Sequence, residues 1–165
     1  MSATDLQEVE HPNLELAREL IEGLGFETDE IPERLPFPAF IARLPLVAPG
    51  ASEVELPHAD LVVADAGDRI QLVLPNIDHL LDELDLPSGD SICRRLLESS
   101  FAFEWVRASL DPSDGELRLS ASITLEALTP AHLDEVIAEM GDLLVEYWLE
   151  RIPTVRSIAT SALPN

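Results

Sequence analysis

The stretch FAFEWVRASLDPSDGELRLSASITL, residues 101–125, decides the fold, because it reads as a strand, a turn and a second strand. Residues 101–110 indicate a strand with three aromatic residues on one face: Phe101, Phe103 and Trp105. Residues 111–115 (DPSDG) are typical of a turn, and residues 116–125 alternate polar and apolar residues as a half-buried strand does. The stretch therefore predicts a β-hairpin.

A long amphipathic helix is predicted directly after this hairpin. Thr129 is expected to be its N-cap residue and Pro130 its first helical residue, positions that suit both residue types. The apolar residues that follow recur at helical spacing: Leu133, Val136, Ile137, Met140, Leu143, Leu144, Tyr147 and Trp148. Because this stripe needs an apolar partner, we expect the helix to pack on the hairpin, with the three aromatic residues in the core beneath it.

Further helices are predicted upstream of the hairpin. Residues 14–24 carry apolar residues at helical spacing and predict a first helix, which is expected to start at Asn13 or at His11-Pro12. In that helix we expect Arg18 to form ion pairs with Glu15 and Glu22, which lie one turn away. Residues 91–100 predict a second helix, and residues 77–84 predict a short one.

Three more strands are predicted between the first two helices. Residues 39–47 are strongly apolar but contain Pro45, and proline cannot donate to a central ladder. They predict an edge strand or a strand with a bulge at Pro45, and an ordered apolar loop is the alternative. Residues 59–64 and 69–74 predict a hairpin closed by the turn Asp65-Ala-Gly-Asp68, in which the glycine adopts a positive φ.

The fold class that follows is α+β. The order of elements is α-β-β-β-α-β-β-α, with an antiparallel sheet packed against helices. Residues 1–165 are expected to form a single domain whose core spans about residues 13–150, between a loose N-terminal tail and a C-terminal segment.

The charge of the chain limits its possible partners. Asp and Glu number 32 against 10 basic residues, which gives a net charge of −22, and all the basic residues are arginine. The absence of lysine excludes Schiff-base and P-loop lysine chemistry. Such a net charge disfavours direct contact with nucleic acid or anionic membranes and favours a basic protein partner.

No catalytic or metal-binding motif is present. The four histidines, His11, His58, His79 and His132, are scattered, and Cys93 is the only cysteine, so no intramolecular disulfide can form. We therefore expect no enzyme activity, no catalytic residue, no cofactor and no metal. We expect Cys93 to be a small buried residue. The chain shows no secretory signal or membrane-spanning run, which favours the cytoplasm.

Two contact surfaces are predicted. The strand at 101–110 is apolar on both faces, which a second covering element or a second subunit would explain. The predicted dimer interface comprises Ile92, Leu96, Leu97, Val106 and Leu110. The predicted partner-binding surface combines the polar face of the last hairpin with apolar residues of the strand at 39–47. It comprises Arg118, Ser120, Ser122, Phe40 and Leu44.

The segments WVRASLDPSDGELRL (residues 105–119) and LTPAHL (residues 128–133), with the helix up to Trp148, resemble the YbjN family, whose fold is similar to that of type III secretion chaperones. The resemblance covers about residues 13–150. It implies a small acidic homodimer that binds other proteins, holds an extended client segment across apolar grooves, and needs neither catalysis nor a cofactor.

The function predicted from the sequence is that of a chaperone-like adaptor. As a homodimer it would bind a basic or partly unfolded client protein, such as a nucleic-acid-binding protein. The alternative is an acidic regulatory or stress protein that acts as an electrostatic decoy, whose binding would collapse with added salt. A third hypothesis, a hydrolase that uses carboxylates, requires a deep pocket with a strongly shifted acid.

Overall fold

The computed structural model describes residues 11–31, 35–45, 58–75, 77 and 90–151. The described residues form three α-helices, with bounds α1 Pro12–Gly23, α2 Asp90–Ser99 and α3 Pro130–Arg151. They also form six strands: β1 Glu27–Glu30, β2 Ala39–Pro45, β3 His58–Asp65, β4 Arg69–Leu74, β5 Arg107–Leu110 and β6 Leu117–Thr124. Among the described helices, none has the length and apolar character that crossing a membrane requires.

The strands form one antiparallel sheet in the order β1-β2-β3-β4-β6-β5. The predicted α+β class and antiparallel sheet are confirmed. The sheet has one strand more than the sequence predicted, because β1 pairs with β2 along Glu27–Glu30. Residues 39–45 therefore form an inner strand and not an edge strand or a loop, and their register with β3 runs to Pro45 without a bulge; residues 46 and 47 lie outside the described part of the chain. Pro45 is accommodated because it is the last residue of β2, opposite His58.

Strand β1 has no apolar residue, and its pairing is supported by charge. Its sequence is ETDE, which lacks the alternation by which strands are detected. Arg43 of β2 lies across from it and forms ion pairs with Asp29 at 2.7 Å and with Glu27 at 3.7 Å. Tertiary pairing thus produces a strand that local propensity does not predict.

The helices cover one face of the sheet. Alternate residues along the strands point to this face, where they are buried with the apolar stripes of α1 and α3 in a single core. The largest core side chains from the strands include Phe40, Leu61, Ile70, Leu72, Leu74, Leu117 and Leu119. Helices α1, α2 and α3 all pack on this face of the sheet or at its edge. The strand residues that alternate with the core residues therefore point to the other face, away from the described helices.

Both predicted hairpin turns are confirmed. Between β3 and β4, Gly67 has a φ of +92°, and its N–H donates to a side-chain oxygen of Asp65 at 2.8 Å. Between β5 and β6, Gly115 has a φ of +77°, and the Asp111 carboxylate accepts from the Ser113 N–H at 2.8 Å. The positive φ values explain why glycine occupies these two positions.

The predicted starts of α1 and α3 agree with the structure, whereas the predicted ion pairs of Arg18 do not. The Thr129 hydroxyl accepts from the His132 N–H at 3.3 Å, which confirms it as the cap of α3. Helix α1 begins at Pro12 as expected. Arg18, however, pairs with Glu30 of β1 at 2.6 Å instead of Glu15 or Glu22, because β1 lies beside this helix. Strand β1 was not predicted from the sequence.

The predicted strand at 101–110 is shorter than expected. Residues 100–102 form a 3₁₀ turn that continues α2, the next residues bend, and only Arg107–Leu110 are extended. Phe101 is 79% exposed and Trp105 is 38% exposed, so the prediction that both lie in the core is wrong. Phe103 is half-buried against the core. The predicted short helix at 77–84 falls, apart from Ile77, outside the described residues, as do the two chain ends.

Candidate partner-binding surfaces

The predicted partner-binding residues do not form one surface. Arg118, Ser120 and Ser122 lie on the face of β6 that points away from the helices. Phe40 and Leu44 lie on the opposite face of the sheet and are 0% and 3% exposed, because α1 packs over them. The sequence of β2 contains a signal for the burial of these two residues. Arg43 indicates the side of the strand that faces solvent, and Phe40 and Leu44 lie on the opposite side.

The predicted dimer-interface residues are also divided. Leu96 and Val106 are fully buried in the core of the single chain, so neither side chain is at its surface. Leu97 is half-buried against the same core, whereas Leu110 is 46% exposed on the edge strand β5. The side chain of Ile92, like that of Cys93, falls outside the described part of the chain.

An exposed aromatic segment, residues 100–106, forms the first candidate surface. Phe101 and Trp105 project from it into solvent, and the Trp105 ring meets the ring of His132 of α3 edge-on, with centroids 4.4 Å apart. His132 is itself within 3.8 Å of the Glu135 carboxylate. The tryptophan is therefore fixed on one side by a ring contact and open to solvent on the other.

The backbone of the aromatic segment is held by one side chain of α3. The Glu139 carboxylate accepts hydrogen bonds from three consecutive N–H groups, those of Glu104 at 3.2 Å, Trp105 at 2.8 Å and Val106 at 3.3 Å. These donors have no ladder partner at this bend, and a carboxylate is a strong acceptor for them. In the sequence Glu139 resembles any solvated acid on a helix, so no local signal identifies this role.

Arg107 holds the carbonyl side of the same segment. Its Nη1 donates to the carbonyl oxygens of Phe103 at 2.7 Å, Val106 at 2.8 Å and Ser100 at 3.4 Å. Glu139 and Arg107 thus bind the N–H and C=O groups of one short bend between them. Two long polar side chains replace the ladder that a regular strand would have supplied here.

The outer side of the helices is acidic. The exposed residues of α1 include Glu15, Glu19 and Glu22, and those of α3 include Asp134, Glu135 and Asp142. Among the described side chains of these two helices, Arg18 is the one arginine, and it is half-buried and paired with Glu30. The aromatic segment therefore lies next to a surface of nearly uniform negative charge, which we call the acidic helical layer.

The sheet presents a second candidate surface, the open face, made of the strand residues that point away from the described helices. Its centre is a row of cross-strand neighbours running from β1 to β5: Asp29, Ile41, Val62, Val73, Ser120 and Arg107. Ile41, Val62 and Val73 are half-buried and form an apolar centre. No described element packs over this row.

Charges on the open face are segregated between its two sides. The open-face residues of β1, β2 and β3 include three carboxylates and one guanidinium, namely Glu27, Asp29, Asp60 and Arg43. Those of β4, β5 and β6 include three guanidiniums and no carboxylate, namely Arg69, Arg107 and Arg118. Arg69 is paired with Asp68 at 2.8 Å and Arg118 with Asp111 at 2.8 Å, so the excess positive charge of this side comes from Arg107.

The perturbed carboxylates lie in turns. The hydrogen bond from Arg69 lowers the pKa of Asp68, and hydrogen bonds from the side chain and N–H of Ser113, with a smaller contribution from Arg118, lower the pKa of Asp111. Both residues lie in the exposed hairpin turns. Among the described residues no three His, Cys, Asp or Glu side chains come close enough together to hold a metal ion.

Comparison with known proteins gives a structural likeness. No protein-family model matches the chain, and no curated protein matches it. Among solved structures, the chain is similar to the Yersinia pestis type III secretion chaperone SycH, determined in complex with a stable fragment of YscM2. The TM-score is 0.49 and the sequence identity is 16%, over 82% of this chain and 98% of that chain.

Proposed function

We propose that this chain is a non-catalytic, chaperone-like adaptor that acts as a homodimer and binds a basic or partly unfolded client protein. The observation that carries the proposal is the aromatic segment. Phe101 and Trp105 are exposed, yet Glu139 and Arg107 hold the backbone that bears them. Exposed aromatic side chains on a fixed backbone are typical of binding hot spots.

Preorganisation explains why a fixed segment favours binding. Ordering a loop or a side chain on association costs free energy that is subtracted from the affinity. The Trp105 ring is already positioned by His132, and its backbone by Glu139, so this cost is reduced. Phe101, at 79% exposure, offers apolar area that a client side chain would remove from water.

The charge around the aromatic segment indicates the chemistry of the client. Glu104 lies within the segment, and the acidic helical layer adjoins it through His132 and Glu135. A client segment that alternates arginine or lysine with apolar residues would match both features, since its cations attract the acids and stack on the Trp105 ring. Basic, partly unfolded tails of nucleic-acid-binding proteins have this chemistry.

A direct test is the binding of a labelled extended peptide that alternates Arg and Leu, measured by fluorescence anisotropy. We expect the variants Phe101→Ser and Trp105→Ser to weaken binding about tenfold or more each, as loss of a hot spot does. Phe37→Ser is the matched control, because Phe37 is an exposed phenylalanine that precedes β2. It should bind as the wild type does.

The electrostatic-decoy alternative makes the opposite prediction in the same assay. If the acidic surface alone binds, the aromatic variants should retain full affinity and binding should vanish at high salt. If the peptide binds through the aromatic segment, a residual affinity should persist at high salt and depend on Phe101 and Trp105. Binding that is unaffected by either aromatic variant at any salt concentration would overturn the proposed function.

A further inference from the structure

We infer that residues 152–165, which follow α3 and are called here the trailing segment, cover the aromatic segment when no client is bound. This regulation rests on the proposed function, because it gives the client-binding surface a competitor within the same chain. The trailing segment lies outside the described part of the chain. Its sequence, the described surface and the distance between the two carry the inference.

The trailing segment has the chemistry that the aromatic segment would select in a client. Its sequence is IPTVRSIATSALPN, which sets Arg156 among the apolar residues Val155, Ile158 and Leu163 and contains no acidic residue. All 32 acidic residues of the chain precede Arg151. A cation among apolar side chains matches exposed aromatic rings beside an acidic surface.

Charge distinguishes the trailing segment from the other long segments that lie outside the described residues. Residues 1–10, 46–57 and 78–89 each contain carboxylates and no arginine. The acidic helical layer would repel all three, because like charges in one place oppose association. Residues 152–165 are therefore the occupant that the charge of this surface favours.

A line of carboxylates on α3 leads from the aromatic segment towards the end of the helix. Glu135, Glu139 and Asp142 lie three or four residues apart, so they share one side of α3. Glu139 holds the aromatic segment, whereas Glu135 and Asp142 are exposed. Among the described residues neither Asp142 nor Glu104 forms an ion pair, so both can attract a cation. Arg107 adds one positive charge, and its Nη1 is bonded to carbonyl oxygens of the bend.

The trailing segment is long enough to run back along this line. Helix α3 ends at Arg151, and at about 1.5 Å per residue its end lies roughly 28 Å along the axis from His132, which contacts Trp105. Residues 152–165 span roughly 46 Å when extended. If three of them reverse the direction of the chain, the others still span roughly 36 Å, which exceeds the distance to be covered.

Tethering makes a weak contact sufficient. A segment joined to its binding site by a short linker has an effective concentration on the order of 1 mM. The trailing segment would therefore occupy the surface for about half of the time even if, as a separate peptide, it bound with a dissociation constant of about 1 mM. A client with more cations displaces it, and its apparent affinity is reduced by the fraction of chains whose surface is open.

The fluorescence of Trp105 tests the contact without any client. Trp148→Phe leaves Trp105 as the only tryptophan, and acrylamide quenching then reports the exposure of its ring. In this background we expect Arg156→Glu, and the double substitution of Ile158 and Leu163 by Asp, to raise the quenching constant. Arg156→Lys keeps the positive charge and should leave it unchanged. Equal quenching in all four proteins would overturn the inference.

The peptide assay of the proposed function supplies the second readout, again on the full chain. We expect Arg156→Glu to bind the Arg-Leu peptide about threefold more tightly or better, because the surface is open in more of the chains. Arg69→Glu makes the same change of charge on the open face, away from the helices, and should not tighten binding. Unchanged peptide affinity and quenching in Arg156→Glu would overturn the inference and leave the proposed function intact. Raised quenching in a chain that binds no peptide would support the contact and overturn the proposed function.

Discussion

The carboxylate of Glu139 in helix α3 accepts a 2.8 Å hydrogen bond from the backbone N–H of Trp105, 34 residues earlier in the chain. The same oxygen accepts from the Val106 N–H, and the second oxygen accepts from the Glu104 N–H. A side chain of helix α3 therefore holds the backbone of the aromatic segment, while the rings of Phe101 and Trp105 remain outside the core.

Replacing Glu139 with alanine should loosen the aromatic segment. Three N–H groups lose a charged acceptor, and we expect the free energy of unfolding to fall by about 1.5–3 kcal/mol, the range for hydrogen bonds to charged groups. Hydrogen exchange at residues 104–106 should accelerate, and urea denaturation should show the loss. Asp142→Ala is the control, because Asp142 is an exposed acid on the same helix. Equal effects of the two substitutions would contradict the bracing role.

The parts of the fold that the sequence predicted are those that depend on local pattern. Strand β6 alternates over all its residues, helix α3 begins with Thr129-Pro130, and the turn at Asp65–Asp68 has its glycine at a positive φ. Each of these features follows from the residues of the element itself and does not depend on the elements that pack against it.

The parts that the sequence did not predict depend on distant partners. Strand β1 exists because Arg43 and the backbone of β2 pair with four polar residues. Residues 101–105 alternate like a strand, but Glu139 takes the N–H groups that a ladder would have used. The alternation of polar and apolar residues in β6 is enough to place Arg118 and Ser120 on the open face. Excluding Phe40 from that face depends on Arg43, which shows which side of β2 is exposed to solvent.

Two phenylalanines should differ sharply in their effect on stability. Phe40 is fully buried beneath α1, and Phe40→Ala should cost about 3–5 kcal/mol, the range for removing an aromatic side chain from a core. Phe101 is exposed, and Phe101→Ala should change the free energy of unfolding by less than about 0.5 kcal/mol. Urea denaturation of both variants checks the pair. A large cost at Phe101 would mean that its ring belongs to the core.

The β5–β6 turn should contribute a stabilisation that depends on pH. Hydrogen bonds from Ser113, at 2.6 Å and 2.8 Å, lower the pKa of Asp111, and Arg118 at 2.8 Å adds to the effect. A carboxylate whose pKa is lowered by folding stabilises the native state above its unfolded pKa, and this contribution is lost as the pH falls through the folded pKa.

Asp111→Asn isolates this contribution. We expect the variant to be less stable than the wild type at pH 7, and the difference to shrink as the pH is lowered through the acid range, measured by urea denaturation at each pH. Asp142→Asn, which replaces an exposed carboxylate on α3, serves as the control. A difference between Asp111→Asn and wild type that stays constant down to pH 3 would show that ionisation of Asp111 has no part in the stability of the turn.

Arg18 combines favourable and unfavourable contacts, and three substitutions separate them. Its Nη1 pairs with Glu30 at 2.6 Å, its guanidinium lies 4.8 Å above the ring centroid of Phe40, and its Nε is buried without a hydrogen-bond partner. A cation over an aromatic ring contributes about 0.5–2 kcal/mol, whereas an unsatisfied buried donor costs about 1–3 kcal/mol.

Arg18→Ala should be the most destabilising of the three, by about 1–2 kcal/mol, because it uncovers the Phe40 ring and removes the ion pair. Arg18→Met keeps an apolar stem over the ring and eliminates the unpaired Nε, so it should lose less. Arg18→Lys keeps the charge without the planar guanidinium and should fall between them. Urea denaturation gives the order. If Arg18→Met is as unstable as Arg18→Ala, the contacts of the charged head with Glu30 and Phe40 outweigh the packing of the stem.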